Sequence, residues 1–300
     1  MMYHNPVLLS ESVEGLAIQP DGIYVDVTFG GGGHSREILR HLNEKGRLLA
    51  FDQDPDSAVN SLNDPRFTFI PANFCHFARF LEYHHAYPVN GILADLGVSS
   101  YQFDTPSRGF SHRYDGILDM RMNTKKGASA QDVVNSYSQN QLSDMLFRFG
   151  ELRNADKIAE SIVAARQKTS ILTTEDLSLA VKSFLPKGHE NKVLSRIFQA
   201  IRIEVNHELE VLESFLNATP SALLPGGRLV VISYHSLEDR LVKNFMRSGN
   251  IEGDLKKDFY GNPITPFELV TRKAIIPSEN EIMQNTRARS AKLRIAEKNK

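Results

Sequence analysis

Residues 30–33 are four consecutive glycines, preceded by the run IYVDVTF at 23–29 and followed by a stretch with helical spacing. A second apolar run, 47–51, comes next and ends in Asp52. Strand, glycine loop, helix, strand and acid is the order in which doubly wound α/β folds hold an adenosine-containing cofactor. Glycines let the backbone approach a ligand closely, and the later acid can accept both ribose hydroxyls.

The glycine spacing decides among cofactors. A dinucleotide fingerprint needs a glycine five places after its first member, and Gly30, Gly31, Gly32 and Gly33 lead instead to Ser35, Arg36, Glu37 and Ile38. No Gly-Lys-Ser/Thr follows, so the loop is not a P-loop. Without the third glycine, the close helix–strand packing that seats a pyrophosphate is missing. A cofactor without pyrophosphate suits such a loop, and S-adenosyl-L-methionine is the leading candidate. A plain glycine-rich surface turn is the competing reading, and it leaves the placement of Asp52 unaccounted for.

At 300 residues and 41% hydrophobic, the chain can bury a large core and is expected to have two structural units. Its apolar runs fall short of a membrane span, and residues 1–15 carry no basic segment or small-residue cleavage site, so a cytoplasmic enzyme is expected. A single cysteine, Cys75, rules out an internal disulfide framework and a cysteine zinc site, and it reads as a small semi-buried thiol. With a net charge of −1, contact with nucleic acid has to come from local basic patches.

Strands are expected at 23–27, 47–51, 67–70 and 90–96. A helix is expected from an N-cap at Ser35, with Ile38, Leu39 and Leu42 on one face, and another from Asp54-Pro55. These units predict a parallel sheet with right-handed crossovers, whose ligands bind at the carboxyl ends of the strands, where Asp52, Phe74 and Asp95 fall. From about 131 to 216 the pattern is helical. Leu142, Met145, Leu146 and Phe149, then Ile158, Ile162 and Ala165, then Leu177, Val181 and Phe184, then Ile197, Ile201 and Val205 read as core stripes. Strand character resumes at 228–233 after a turn at 224–227. The stretch 248–266 reads as a surface loop, with late strands at 267–273 and 291–296. The expected organisation is a discontinuous Rossmann-like α/β domain, 1–103 and 216–300, with a helical domain inserted at 104–215.

Three further segments can carry chemistry. Asp95 ends the fourth strand where amino-group methyltransferases place an acid or amide; the alternative is an acid that caps a turn. His235 sits just past the 228–233 strand, where substrate can reach it, although Ser236 can N-cap a helix whose start is favoured by Glu238 and Asp239. Basic stretches at Arg108, Arg113, Arg121, Lys125 and Lys126, and again from Arg287 and Arg289 to Lys300, suit phosphate contact or simple solvation.

An ordered series of motifs is more specific than any of these alone: 4–9 (HNPVLL), 26–35 (DVTFGGGGHS), 95–100 (DLGVSS), 108–111 (RGFS), 118–122 (LDMRM), 198–202 (FQAIR), 225–228 (PGGR), 235–240 (HSLEDR) and 287–290 (RARS). The series resembles the bacterial 16S ribosomal RNA (cytosine-N4)-methyltransferase family, also called RsmH or MraW, along nearly the whole chain. The resemblance implies a class I, Rossmann-like S-adenosylmethionine-dependent methyltransferase with an inserted helical domain. It implies methylation of the exocyclic N4 amine of a cytidine in the decoding region of 16S rRNA in the small ribosomal subunit. Carried over by motif, it implies cofactor contacts from Gly32, Gly33, His34, Asp52, Phe74, Asp95 and Gln102. Asp95 and His235 are the candidate catalytic groups, and no metal is required. Tyr234 departs from it, standing where a phenylalanine is common, and Gly31 fills a variable loop position. Arg108, Arg113, Arg121, Arg287 and Arg289 are the candidate RNA contacts. Two rivals stay open on sequence: a nicotinamide-dependent oxidoreductase, opposed by the glycine spacing, and a non-catalytic RNA-binding factor.

Overall fold

The apolar runs form one seven-stranded sheet in the order β3-β2-β1-β4-β5-β7-β6. In this computed structural model, which describes residues 6–300, the strands are β1 Ile23–Asp26, β2 Arg47–Phe51, β3 Phe67–Ile70, β4 Val89–Asp95, β5 Leu223–Ser233, β6 Phe267–Leu269 and β7 Lys292–Lys298. His4 and Asn5 of the first motif lie outside the described residues. Strands β1 to β5 pair in parallel, whereas β7 runs antiparallel to both β5 and β6. The order turns back at β1, which lies between β2 and β4, so the ligand-binding crevice of such a sheet opens at the carboxyl ends of these three strands. The acids Asp26, Asp52 and Asp95 stand there.

The chain forms two compact units, Met1–Gly97 with Leu209–Lys300, and Val98–Glu208. In the first, alternate residues of each strand feed opposite faces of the sheet. Val25, Leu49, Phe51, Ile92, Ala94, Leu229 and Val231 pack with Phe77, Leu81, Phe215 and Phe245 on one face. Tyr24, Leu48, Leu93, Val230 and Ile232 pack with Leu8, Leu16, Ile38 and Leu39 on the other. Both faces are covered, which is why the strands read as nearly continuous apolar runs.

The second unit is helical, with helices Ser100–Asp104, Ala130–Ser136, Gln139–Gly150, Ala155–Lys168, Thr174–Ala180 and Glu190–Asn206. Ser129, Ser138 and Thr173 each cap a helix reciprocally with the residue three places on. Leu142, Met145, Leu146, Ile158, Ile162, Leu177, Ile197 and Ile201 form its buried stripe. The 105–129 segment, whose one helical piece is the 3₁₀ turn Pro106–Arg108, is tied by Leu118 N–H to the Leu172 carbonyl (3.0 Å), Met120 N–H to the Arg108 carbonyl (2.9 Å), and Met122 N–H to the Asn206 side chain (2.7 Å).

Several local expectations need correction. The unit boundaries, 98 and 208, precede the expected 104 and 215. Helix Glu208–Ala222 carries Leu212, Phe215 and Leu216 into the core beneath the sheet, so position 215 falls inside a helix that serves the sheet. Only a 3₁₀ turn, Pro55–Asn60, follows Asp54, because that polar stretch has no apolar stripe to bury. The expected turn at 224–227 is a bulge inside β5: Val89 pairs with Leu223 and Gly91 with Arg228, with Gly226 at φ 79°. Of the late strands, β6 stops at Leu269 and β7 extends to Lys298.

Candidate active site

The glycine loop begins where β1 ends. Asp26 is buried; its Oδ1 accepts from Thr28 N–H (3.1 Å) and its Oδ2 from the Ser35 hydroxyl (2.7 Å), which ties the strand end to the following helix. That helix, Gly33–His41, starts two residues before the expected Ser35 cap. Gly32 is the N-cap, at φ 73°, and Ser35 is used inward against Asp26. A glycine can turn the chain through this left-handed conformation, so no side-chain cap is needed. Burial pushes the Asp26 carboxyl up, opposed by its bonds to Ser35 and Thr28.

The end of β2 is joined to the same loop. Asp52 Oδ2 accepts from Gly30 N–H and Oδ1 from Asp54 N–H, both at 2.8 Å. Each carboxylate oxygen keeps a further acceptor site, so the pair can take two vicinal hydroxyls. Burial raises the Asp52 carboxyl to about 6, with Asp54 and Asp26 adding to the rise and the two N–H donors opposing it. Gly30 therefore orients the acid, a role that sequence did not assign.

At the end of β4, Thr28 Oγ1 accepts from Asp95 N–H (2.6 Å), which links this strand end to the glycine loop. The Asp95 carboxylate is 24% exposed, so one edge of it is open to a substrate. Tyr234, just past β5, donates its hydroxyl to Asp95 Oδ1 at 2.8 Å. His34 Nδ1 stands 3.8 Å from Oδ2. His34 Nε2 lies 3.2 Å from the Val7 carbonyl, which can only accept, so Nε2 carries the proton and Nδ1 presents a lone pair toward Asp95. Burial lowers the His34 pKa to about 4, so the ring is neutral and its approach to Asp95 is not an ion pair. Burial likewise raises Asp95 to about 7; the Tyr234 bond opposes the rise, and Asp26 and Glu238 add to it. Tyr234, in contact with Asp95, is pushed well above its ordinary value, chiefly by burial.

Three strand-end acids thus stand at one edge of the sheet, and burial, with added repulsion from Asp26, holds Asp52 and Asp95 far above the usual carboxylate range. A ligand with a diol at one end and a positive charge at the other relieves that repulsion while satisfying Asp52. The donor set fits an adenosyl sulfonium.

The other expected site residues fall as follows. Gly33 opens the helix so tightly against Pro6 that a Cβ there would lie 2.1 Å from the proline ring. Phe74 is half-buried after β3, edge-on to Phe215 with ring centroids 5.4 Å apart. Gln102, in the second unit, is buried and caps helix Ser100–Asp104 reciprocally with Ser99. His235, the other candidate catalytic group, stands at the N-cap of helix Ser236–Ser248. Its Nδ1 accepts from Glu238 N–H (3.4 Å), its Nε2 lies 3.0 Å from Glu238 Oε1, and the cap is His235 rather than Ser236. Glu238 completes the cap by accepting from His235 N–H (3.4 Å), and it also accepts from Tyr234 N–H (2.9 Å), which fixes the residue that reaches Asp95. The sequence signal for Tyr234 was an aromatic directly after the fifth strand. For Asp26 it was the acid that ends the first run.

Among the arginines, Arg108 is corrected from an RNA contact to an internal tie: it is buried and donates to the carbonyls of Arg121 and Met122, both at 3.0 Å. Arg121 is held in a two-bond pair by Asp119, at 3.0 and 2.7 Å. Arg113 and Arg289 are exposed, and Arg287 is half-buried.

The chain is similar to known proteins along its whole length. Ribosomal RNA small subunit methyltransferase H of Bacteroides thetaiotaomicron is 56% identical over 298 residues, 99% of this chain and 98% of that protein. The protein of the same name from Flavobacterium johnsoniae is also 56% identical, with the same coverage of both chains. Among solved structures, an rRNA methylase from Streptococcus thermophilus is 11% identical with a TM-score of 0.41, covering 100% of this chain and 99% of that one. The MraW methylase family matches residues 1–299, and with relatives more than half identical along their whole length the chain belongs to that family.

Proposed function

We propose that this chain transfers a methyl group from S-adenosylmethionine to the exocyclic N4 amine of a cytidine in the decoding region of 16S rRNA. The observation that carries this reading is Asp95, a partly exposed acid at the switch point of the sheet, with one oxygen held by Tyr234 and its N–H tied to the glycine loop through Thr28. The printed names of the relatives support small-subunit ribosomal RNA as the substrate.

When bound, the cofactor supplies an electrophilic methyl on a cationic sulfur. The chain's work is positioning and electrostatics. Asp52 takes the ribose hydroxyls, and the loop backbone at Gly32 and Gly33 lets the cofactor lie close. A cytosine amine has its lone pair delocalised into the ring. Asp95 Oδ2, accepting one amine hydrogen, turns that lone pair toward the methyl and takes up the proton released as the N–C bond forms. The base leaves its stack to reach this crevice. Digestion of methylated 16S rRNA to nucleosides, with mapping of the modified position, is expected to return N4-methylcytidine in the decoding region. Methyl on carbon 5 or on a ribose would refute the assignment.

Asp52→Ala is expected to weaken S-adenosylmethionine binding by about 1–3 kcal/mol, because charge-assisted hydrogen bonds to the ribose are removed. Calorimetry showing unchanged affinity would remove Asp52 from the ribose site. For RNA, the reading takes the exposed Arg113 and Arg289 as the phosphate contacts, since Arg108 is buried and Arg121 is paired with Asp119. Replacing those two with alanine should lower RNA affinity and reduce the salt slope by roughly one for each phosphate that an arginine neutralises, with cofactor affinity unchanged. A double variant with the wild-type slope would exclude both arginines from phosphate contact.

A further inference from the structure

Two of the most exposed large apolar side chains in the sheet unit lie together at the tip of one hairpin. Phe259 is 97% and Tyr260 85% exposed, with rings edge-to-face at 5.5 Å between centroids. The hairpin beneath them is well ordered by its own bonds. Lys257 pairs with Pro263 across it, Ile264 N–H donates to the Lys256 carbonyl (2.8 Å), and Asp258 N–H to the Asn262 carbonyl (2.9 Å). At the turn, the Asp258 carboxylate accepts from Tyr260 N–H (2.9 Å), Asn262 N–H (2.8 Å) and the Asn262 side-chain amide (3.0 Å). Gly261, at φ 88°, takes the left-handed position that closes the turn.

An ordered turn that holds two aromatic rings in water does not serve the fold, since burying either ring would stabilise the chain. Exposed Lys256 and Lys257 lie one residue before the rings, and the intervening Asp258 is engaged by three donors. Aromatic faces beside cationic side chains are how proteins hold unpaired nucleotides: bases stack on the rings and phosphates meet the lysines. Two rings and the neighbouring Ile264 offer a few hundred Å², well short of the roughly 800 Å² per partner of a stable protein interface. We propose that the hairpin bearing Phe259 and Tyr260 is a stacking platform for unpaired nucleotides of the ribosomal RNA substrate. The proposal rests on the reading of this chain as an RNA methyltransferase and adds a second RNA-binding surface, separate from the pocket for the methylated base.

The test uses the full chain, its Phe259→Ala/Tyr260→Ala variant, and a Phe259→Trp variant. The probe is small ribosomal subunits that lack the methyl group. Without the stacked bases, binding is expected to weaken about thirtyfold or more in the double alanine variant, while tryptophan keeps it near wild type. Cofactor affinity and melting temperature should not move, because neither ring is buried. Wild-type RNA affinity in the double variant, with methyl transfer intact, would overturn the platform and leave the proposed function standing. A wild-type chain that neither binds nor methylates the subunits would instead overturn both. Self-association of the wild-type chain that disappears in the double variant, at unchanged RNA affinity, would overturn the platform by assigning the rings to a second copy of the chain.

Discussion

Asp95→Asn is expected to lower the single-turnover methylation rate on the order of 10²-fold, the scale of removing one preorganised electrostatic interaction. Cofactor affinity should hold, since the amide preserves the shape and can still accept from Tyr234. Stability separates this role from a structural one. Asp95 holds its proton more tightly in the folded chain than an unfolded carboxyl does, so stability from this group is lost as pH rises from the ordinary carboxylate range through about 7. The asparagine variant avoids that loss and should melt no lower than wild type above pH 7. A lower melting temperature with a near-normal rate per folded molecule would make Asp95 a structural residue.

The same group sets the pH dependence. A carboxylate that accepts the amine hydrogen works only when ionised, so kcat/KM should rise with pH through an apparent pKa near 7. The groups that face Asp95 are Asp26 from β1, Glu238 from helix Ser236–Ser248, neutral His34 from helix Gly33–His41, and Tyr234. Of these, Tyr234 favours ionisation, and Asp26 and Glu238 oppose it. Tyr234→Phe should therefore move the rise to higher pH, with the rate recovered in alkaline buffer. A profile left in place would show that the hydroxyl does not tune the acid.

Gly32→Val is expected to be the most damaging single change to cofactor binding, exceeding the effect of Asp52→Ala. Gly32 is left-handed at φ 73°, where a β-branched residue is strained, and a Cβ there would lie 2.8 and 2.9 Å from the Phe29 ring. That ring cannot easily give way, because Phe29 is buried and packed at 5.4 and 5.3 Å against Phe67 and Phe69. The loop must shift, and Gly30 N–H, which orients Asp52, shifts with it. Calorimetry on the folded fraction should show cofactor binding weakened more than 100-fold, roughly 3 kcal/mol. Wild-type affinity would move the cofactor away from this loop.

Much of this architecture was legible because burial on both faces leaves continuous apolar runs, and acids interrupt those runs where the sheet opens to ligand. Strands such as Arg47–Phe51 and Phe67–Ile70 stand where the sequence placed them. Helix starts were less legible. Whether Ser35 caps a helix or bonds Asp26 depends on the conformation of Gly32, and whether His235 or Ser236 caps depends on Glu238 folding back three residues. Burial of a charged side chain was not legible at all. Arg108 and Arg113 look alike in a basic stretch, yet one ties carbonyls inside the helical unit and the other is exposed. The Tyr234–Asp95 bond spans 139 residues of chain, a separation at which no local pattern operates.

Methyl transfer itself remains the most direct test. Purified chain, S-adenosylmethionine labelled in the methyl group, and small ribosomal subunits that lack the modification should yield label in 16S rRNA, with roughly a hundredth of it when Asp95→Asn is sampled over the wild-type single-turnover time. Cofactor and subunits that both bind without any transfer of label would contradict it, and would make the chain a non-catalytic RNA-binding factor on a methyltransferase scaffold.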